Sequence, residues 1–485
     1  MSAINRFIKL TSTYMLVQIL IMAGGFISFP IFTRILTKKE YGIMSLISIT
    51  ISIVGIFASG GLRHSAQRYY AEYKKKRQLQ EFYSTAINST ILFGLAGVGI
   101  SMLLFNLLIY FHIATPSYRS VFLCASVLIF VRVMFALIGC FYRAGERASI
   151  YSVFAILEKY AGMFLAIFFV SILFYGVFGY YLGLLFGEFL VLAGFTWFIL
   201  KDMGFPKFFV SKKILFKMLA FGFPLIFMGF SGAILAMGDR YIIGYFMTTE
   251  DVATYSVPYN LSAYITAILV TGFDYAFMPR LMSEWDRSNP EIGQLLVGKI
   301  LKIYCLIGLP IIFGVIALGE DIIVLLASQK YSGAVFILPY VITGEVLKGL
   351  LTPMTVGLMV SEKTKVLAKL TLFAAIVNIL LNVAFVPLLG LKGAALSTLI
   401  SYAMLLALGV KASSKLLKIK FPWISFLKYF ISAVVMFIFL EFVKINILFS
   451  VFTGLLLYSV TLMAIDKESR LFLKDRMNFI SVSEK

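Results

Sequence analysis

The sequence of 485 residues has few of the residues on which most enzyme active sites depend. It contains two histidines and three cysteines, and only 14% of its residues are charged. Two distant histidines form no credible Ser/His/Asp set, and no Cys or His spacing fits a metal site. A Walker motif for ATP hydrolysis is also missing. We therefore expect no catalytic residues, no metal and no cofactor, and we expect that the protein is not an enzyme.

Long polar segments are missing as well. The longest one on the predicted outer side, near residues 319–331, has about a dozen residues, so any activity must lie among the helices. The N-terminus carries Arg6 and Lys9 and is followed by an apolar run from Leu10 to Phe32. That run is too long for a signal-peptide core and ends without a cleavage site. We expect it to be a retained membrane helix.

What the chain does contain is apolar sequence in runs. Hydrophobic residues make up 61% of the chain and the mean hydropathy is +0.96, against about 45–50% apolar residues in soluble domains. Runs of roughly 20 residues cross a bilayer as helices, because the backbone must satisfy its own hydrogen bonds there. We predict an all-α integral membrane protein with about fourteen transmembrane helices. The expected spans are 10–33, 41–62, 84–111, 119–141, 150–174, 180–200, 217–246, 251–275, 298–318, 332–360, 366–387, 392–411, 424–442 and 447–465.

The net charge of +20 has two interpretations. It could indicate a nucleic-acid partner, but most Lys and Arg residues fall in segments on one side of the predicted spans, the side of the N-terminus. This distribution follows the positive-inside rule, so we expect no nucleic-acid partner. We expect a multi-pass protein of a bacterial inner membrane with both termini on the cytoplasmic side. The run Lys74–Arg77 is expected to hold anionic lipid headgroups.

A weak internal repeat is visible when the N-terminal half is shifted onto the second half. Residues 37–45 then fall on residues 248–256, and Gly61 falls on Gly272. Each repeat holds about six helices, so the halves have the same orientation and are related by an axis along the membrane normal. We predict two six-helix lobes in a pseudo-twofold arrangement around a central cavity. The expected boundaries are 1–210, 211–420 and, for an extra helix pair with a tail, 421–485.

Charged residues inside spans usually face a cavity or a partner, because they cost about 2.5–3.5 kcal/mol each on insertion scales. Arg132 has no acidic residue within a helical turn, so we expect a cavity or an anionic ligand beside it; its planar fork suits phosphate. Asp239 and Arg240 diverge by about 100° on a helix, and we expect them not to neutralise each other and one of them to face the cavity. The other charges in predicted spans include Glu158, Lys159, Glu188, Asp274, Glu345 and Lys348.

Two interpretations stay open for the remaining candidates. Glu345 and Lys348 are three residues apart, so they form either a self-neutralising structural pair or part of a site. Arginines at predicted helix ends are either topology signals and lipid contacts or substrate ligands. These are Arg34, Arg63, Arg68, Arg143 and Arg147.

Three stretches together resemble a known family, in order and at matching topological places. Phe32–Gly42 (FTRILTKKEYG) is similar to the first outside turn of the polysaccharide-biosynthesis flippases, the Wzx-type O-antigen transporters. Gly238–Phe246 (GDRYIIGYF) resembles their seventh-helix motif, and Tyr142–Arg147 (YRAGER) resembles their basic turn after helix four. The resemblance covers the whole length and includes the final helix pair.

This resemblance implies a MATE-like fold of the multidrug/oligosaccharidyl-lipid/polysaccharide exporter (MOP) superfamily, which works by alternating access. It implies transport of an undecaprenyl-pyrophosphate-linked oligosaccharide from the cytoplasmic to the outer leaflet, coupled to H+ or Na+. A complex with a polysaccharide polymerase and a chain-length regulator is also implied. The candidates for pyrophosphate or sugar binding are Arg34, Arg63, Arg68, Arg132, Arg143, Arg147, Arg240 and Lys348, and those for ion coupling are Asp239, Asp274 and Glu345.

Three alternative functions compete with this one. A lipid II flippase shares the pyrophosphate and the lipid tail, and so is hard to separate by sequence. A MATE-type antiporter of drugs or cations would favour an acidic, aromatic cavity and about twelve helices. A membrane polymerase or ligase would need a large outside loop, which the sequence does not have.

Overall fold

The computed structural model describes residues 3–110, 115–272, 281, 290–443 and 446–466, and in these ranges the chain forms helices and no β-strand. Short 3-10 helices lie at Pro116–Tyr118 and Gln329–Ile337. The α-helices are α1 (Ala3–Ile35), α2 (Lys38–Ala58), α3 (Leu62–Lys75), α4 (Leu79–Tyr110), α5 (Arg119–Ala144), α6 (Ala148–Ser171), α7 (Gly176–Met203), α8 (Lys212–Met237), α9 (Asp239–Phe246), α10 (Thr249–Gly272), α11 (Pro290–Ala317), α12 (Gly319–Leu326), α13 (Leu338–Met354), α14 (Val356–Val360), α15 (Thr364–Leu389), α16 (Leu391–Ser414), α17 (Trp423–Phe442) and α18 (Ile447–Ile465).

Thirteen helical segments of the described ranges are long and apolar enough to cross a membrane. The predicted fold class, an all-α integral membrane protein, is thereby confirmed. The expected span 251–275 coincides with α10, which is not among the thirteen. Polar residues along α10, among them Asn260 and Ser262, lower its hydropathy.

Two expected spans are divided in the structure. The run 217–246 forms α8 and α9, which meet at Gly238, and the run 332–360 comprises part of a 3-10 helix followed by α13 and α14. The polar segments 63–83 and 319–331 contain the additional helices α3 and α12. Hydropathy reports burial in lipid and not helicity, so it detected neither the breaks nor these short helices.

The chain divides into two compact units. The first comprises Met1–Ser256 and Thr371–Gly390, and the second Val257–Leu370 and Leu391–Lys485. The most extensive packing in the first unit is between α6 and α7, followed by α4 with α5 and α5 with α7. In the second unit, α11 packs on α17 and α13 packs on α16. The lobe boundaries expected near residues 210 and 420 stay a prediction.

The C-terminal helices α17 and α18 pack against each other and against α11. The Tyr458 hydroxyl of α18 donates to the Leu306 carbonyl of α11 over 2.8 Å. Lys428 of α17 forms an ion pair of 2.8 Å with Asp466, the residue after α18. The predicted helix pair is thus fixed to the second unit by polar contacts as well as by apolar packing.

Stacked aromatic rings join α5, α6 and α7 in the first unit. Phe195 of α7 is fully buried, and its ring stacks on Phe154 of α6 at 4.5 Å and on Tyr142 of α5 at 5.2 Å between centroids. Aromatic pairs of this kind add about 0.5–1.5 kcal/mol beyond their area burial. The cluster fixes the spacing of α5, α6 and α7, the three helices that supply the charged side chains of the cavity described below.

The turns that the sequence repeat superimposes have the same local structure. Before α2, the Thr37 hydroxyl accepts from the Glu40 amide, and the Glu40 carboxylate accepts from the Thr37 amide over 2.9 Å. Before α10, Thr248 and Asp251 form the same reciprocal pair, with an amide-to-carboxylate distance of 3.1 Å. Both are capping boxes, which satisfy amide groups left unpaired at a helix start. Their identical geometry supports the repeat.

The beginnings of α2 and α10 touch each other within the first unit. Ser45 and Ser256, which the repeat superimposes, share a hydrogen bond of 2.8 Å. A Cβ atom at Gly42 would overlap the carbonyl oxygen of Thr249, so only glycine permits this approach. This α2–α10 contact lies at the helix ends that are predicted to face outside.

A second contact joins α3 to the start of α8. Ser65 donates to the Met218 carbonyl over 2.6 Å. The Lys217 ammonium pairs with the Glu72 carboxylate at 2.7 Å and lies 4.5 Å from the centre of the Tyr69 ring. Hydrogen bonds from Lys217 and Lys76 lower the pKa of Glu72 to about 2. This α3–α8 contact lies on the side predicted to be cytoplasmic.

Candidate functional site

A charged cavity of about 230 Å³ lies among α1, α5, α6 and α7 of the first unit. Its charged side chains are Arg132, Glu158, Lys159 and Glu188, two cations and two anions. These helices belong to the candidate membrane spans. Grouping four charges at this depth lowers the cost that each alone would have in hydrocarbon.

Arg132 forms a bidentate pair with Glu188. Its Nε donates to Glu188 Oε2 over 2.8 Å and its Nη2 to Oε1 over 2.7 Å. The Glu188 side chain is 6% exposed and the Arg132 side chain 40% exposed. A cavity lies beside Arg132, as expected, and Arg132 has in addition an acidic partner in Glu188. Its acidic partner comes from a different helix, which a search within one helical turn could not find.

Close packing of α6 on α7 places Glu188 beside the cavity. A Cβ atom at Gly187 would lie 2.5 Å from the Gly162 amide nitrogen, so the two backbones touch there. Small residues at the interface of membrane helices permit such an approach. The Glu188 side chain then passes next to Gly162 on its way to Arg132.

Glu158 and Lys159 complete the charged set on α6. Both side chains are half-buried. The Lys159 stem packs on Gly24 of α1, where a Cβ atom would lie 3.3 Å from Lys159 Cγ. In the part of the chain that the structure describes, Glu158 has neither a hydrogen bond nor a salt bridge, in contrast to Glu188. The two carboxylates of one cavity thus have different environments.

A smaller cavity of about 110 Å³ lies among α3, α5 and α7. Arg147 pairs there with Asp202 at 2.6 Å, and the Tyr142 hydroxyl donates to the same carboxylate oxygen over 2.9 Å. Lys74 and Tyr70 of α3 also line it. Arg147 is therefore bound to a carboxylate, and a phosphate could reach it only by sharing or displacing Asp202.

Asp239 and Arg240 are both buried in the first unit, 1% and 3% exposed. Their side chains lie 3.6 Å apart, and Asp239 also accepts a hydrogen bond from the Tyr255 hydroxyl. Arg240 Nε donates to Ser256 over 3.1 Å. The expectation that the two would not neutralise each other is therefore wrong, while the expectation that one of them faces the central cavity stays a prediction. Asp239 is the first residue of α9, and its carboxylate also accepts from the Arg240 amide over 2.9 Å.

Glu345 and Lys348 belong to α13 of the second unit and form an ion pair of 3.1 Å. This bears out the interpretation of a pair within one helix; Glu345 is buried, while Lys348 is partly exposed. Asp274, the third candidate for ion coupling, lies outside the described residues.

Two helix-end arginines lie close to the same histidine. Arg63 Nε donates to His64 Nε2 over 3.1 Å, and the positive charges of Arg63 and Arg143 both act on the His64 ring. The Arg143 guanidinium also lies 4.3 Å from the centre of the Tyr151 ring. This grouping on α3 and α5 is cationic and lies on the side predicted to be cytoplasmic.

The remaining arginines are dispersed. Arg34, at the end of α1, donates to the Pro30 carbonyl over 3.1 Å. Arg68 is exposed and lies 6.0 Å from the centre of the Tyr69 ring. Of the predicted cations, Arg63 and Arg143 lie near one another, beside His64. Most of the others contact a carboxylate or a carbonyl of the chain itself.

The set of candidate residues omitted three members of the charged cavity, namely Glu158, Lys159 and Glu188. A usable signal was present in the sequence. Arg132 is the fourteenth residue of α5 and Glu188 the thirteenth of α7. Consecutive spans alternate in direction, so these two helices run the same way and opposite charges at equal depth are natural partners. The described residues contain no group of three or more His, Cys, Asp or Glu side chains that could hold a metal.

The fold is that of helical membrane transporters. It superimposes on a solved structure of the lipid II flippase MurJ in an inward closed conformation with a TM-score of 0.74, at 18% identity, covering 95% of this chain and 99% of that one. An inward-facing multidrug resistance MATE family transporter of the MOP superfamily gives a TM-score of 0.66 at 14% identity, covering 80% and 92%. At these identities the likeness shows the fold alone.

The chain belongs to the polysaccharide biosynthesis protein family, whose model matches residues 7–285, more than half of its length. A MatE model also matches residues 224–384. Two Haloferax volcanii proteins are similar in sequence. The probable low-salt glycan biosynthesis flippase Agl15 is 24% identical over 45% of this chain and 47% of its own length. The probable flippase AglR is 26% identical over 36% and 37%. The chain thus spans less than half of either relative.

Proposed function

We propose that this protein is a flippase for a lipid-linked oligosaccharide, an undecaprenyl-pyrophosphate-linked repeat unit of O-antigen or another surface polysaccharide. It moves this lipid from the cytoplasmic to the outer leaflet of a bacterial inner membrane. One observation carries the proposal: the chain belongs to a polysaccharide biosynthesis family and contains many helices long and apolar enough to cross a membrane. A glycan headgroup does not cross hydrocarbon unaided, so its assembly outside the cell requires a transporter.

The mechanism proposed is alternating access between two six-helix lobes. The α2–α10 and α3–α8 contacts support it, because each joins the predicted lobe 1–210 to the predicted lobe 211–420 by hydrogen bonds. The two contacts lie at helix ends predicted to face opposite sides of the membrane. Separating the α3–α8 contact would open a path from the cytoplasm, and separating the α2–α10 contact would open a path to the outside. The Glu72–Lys217 pair is partly exposed, so water can replace it when the helices part.

Exposed cations suit a pyrophosphate on the cytoplasmic side. In the described ranges Arg63 and Arg68 of α3 belong to no ion pair, and both are exposed. Each can therefore turn its planar fork towards a phosphate without breaking an ion pair; Arg63 would exchange only its Nε hydrogen bond to His64. The exposed run Lys74–Arg77 would attract anionic lipids to the same surface. A complex with a polymerase and a chain-length regulator, and coupling to an H+ or Na+ gradient, belong to the same proposal.

The test uses proteoliposomes that contain undecaprenyl-pyrophosphate-linked oligosaccharide. Its movement between leaflets is measured with and without an imposed ion gradient, beside liposomes that contain lipid II. We expect gradient-stimulated movement of the oligosaccharide lipid and little movement of lipid II. Transport of lipid II alone would instead assign the cargo suggested by the shared MurJ fold. Uptake of a cationic dye alone would favour a MATE-type antiporter.

A further inference from the structure

We propose that Glu158 is a proton-binding site of the transport cycle, located in the charged cavity of α1, α5, α6 and α7. The inference rests on the proposed transport function and deepens it by naming the coupling ion and its residue. Glu158 was not among the candidates for ion coupling, which were Asp239, Asp274 and Glu345. Of the two that the structure describes, each is already paired within the chain, Asp239 with Arg240 and Glu345 with Lys348.

The cavity contains two carboxylates in unequal situations. Both oxygens of Glu188 accept hydrogen bonds from Arg132, at 2.7 and 2.8 Å. Each of its oxygens thus accepts from a permanently charged guanidinium. Glu158 shares the cavity without a hydrogen bond or salt bridge to any described residue. A carboxylate without such contacts at membrane depth gains most from binding a proton, since the proton removes its charge.

The other groups that face Glu158 set the charge balance. α5 contributes Arg132, α7 contributes Glu188 and Tyr180, and α6 itself contributes Lys159; α1 lines the cavity with uncharged residues. When Glu158 is ionised, the two cations and two anions balance. When it is protonated, the cavity carries one positive charge. The net charge of the cavity is thus zero in one state and +1 in the other. A change in the surroundings of Glu158 between transporter conformations can therefore favour either state.

The same arrangement disfavours a sodium ion. A metal cation needs several oxygen ligands, and the Glu188 oxygens are already occupied by Arg132. The fixed charge of Arg132 and the ammonium of Lys159 would both repel Na+. A proton avoids this repulsion because it forms a covalent O–H bond on Glu158 and cancels the charge there. The Arg132 side chain is 40% exposed within this cavity, so a water molecule fits beside it and can carry a proton to Glu158.

The direct test is labelling of the full-length protein in lipid with dicyclohexylcarbodiimide at a series of pH values. The O–H of a protonated carboxylic acid adds across one C=N bond of the reagent, and the resulting O-acylisourea rearranges to a stable N-acylurea that mass spectrometry locates. We expect labelling of Glu158 that falls as pH rises and does not change with Na+. Glu188, whose oxygens are both engaged by Arg132, serves as the internal control and should stay unlabelled. No labelling of Glu158 at any pH, or labelling blocked by Na+, would overturn the proposal.

The transport test uses Glu158→Gln, which keeps the shape of the side chain and cannot ionise. We expect the ratio of flipping with a proton gradient to flipping without one to fall from well above one to about one. The matched control is Glu441→Gln, an exposed residue on α17, which should keep the wild-type ratio. A gradient response retained by Glu158→Gln, or lost only in Lys159→Met, would overturn the assignment. pH-dependent labelling without movement of any lipid-linked sugar would instead refute the proposed cargo and leave the proton site standing.

Discussion

Replacing one member of the Arg132–Glu188 pair should destabilise the first unit strongly, whereas replacing both members should destabilise it only slightly. The change is Arg132→Met, which retains apolar volume and leaves Glu188, 6% exposed, without its partner. Breaking a buried ion pair by removing one member costs about 3–5 kcal/mol. The arginine is 40% exposed, so water can replace part of what is lost. We therefore expect a loss near the lower limit, about 3 kcal/mol, or roughly a 150-fold change in the unfolding equilibrium.

Two further variants separate charge from geometry. Arg132→Lys keeps the charge but loses the second parallel hydrogen bond, so a smaller loss of about 1.5 kcal/mol is expected. In the double variant Arg132→Met/Glu188→Met no charge of the pair is left unpaired, and apolar replacement of a whole buried pair is often neutral. Its stability should lie within about 1 kcal/mol of the wild type. The two single changes should therefore be far from additive.

The assay is reversible unfolding in mixed micelles, followed by the fluorescence of Trp197, which lies on α7 with Glu188. It uses a background in which the other two tryptophans, Trp285 and Trp423, are replaced by Phe. Arg119→Met at the exposed start of α5 is the matched control, where a change within about 0.5 kcal/mol is expected. If Arg132→Met were as stable as the wild type, or if the double variant lost the sum of the single losses, the pair would not stabilise the unit as described.

Three other perturbations test separate contacts. Gly42→Ala should disrupt the α2–α10 contact and lower the thermal midpoint of unfolding, because its Cβ would overlap a backbone carbonyl. Gly55→Ala on the same helix has open space and should change the free energy of unfolding by no more than about 1 kcal/mol. Equal midpoints for the two variants would contradict the close approach. The pKa of Glu72 is lowered from 4.5 to about 2, so the stabilisation from its carboxylate is complete above about pH 4.5 and is lost as the pH falls towards 2. The difference in thermal midpoint between the wild type and Glu72→Gln should therefore shrink as the pH is lowered. A difference that stays constant with pH would refute this role of Glu72. Tyr181→Phe removes a fully buried hydroxyl that contacts two polar groups, at 2.7 and 2.8 Å, and should cost about 1–3 kcal/mol in the same unfolding assay, while Tyr245→Phe, 79% exposed, should cost almost nothing.

The capping boxes before α2 and α10 are features that could be predicted from the local sequence. The shift that superimposes Thr37 on Thr248 was found from a few similar residues, and the structure shows the same capping box at both positions. A capping box depends on residues three apart, so it is encoded locally and a sequence comparison can detect it. The contact between Ser45 and Ser256 could not be foreseen in this way, because it joins the two repeats to each other and is not internal to either.

The charged residues show where that reasoning failed. The pairing of Glu345 with Lys348 was foreseen because one helical turn brings them together. The interpretation of Asp239 and Arg240 considered only their divergence around one helix, whereas Tyr255 and Ser256 of the next helix supply further partners to both. Local spacing predicts ion pairs within a helix and is silent about pairs between helices.

The sequence by itself determined the all-helical membrane class, the approximate spans and the family resemblance. Each of these depends on the hydropathy or identity of neighbouring residues, which the bilayer and the helix translate directly into structure. Only the tertiary structure decided that Arg132 is paired with Glu188 and that Glu158 is not paired. Those two carboxylates look alike in the sequence, and they differ because helix packing brings a guanidinium to one of them and leaves the other without a salt bridge.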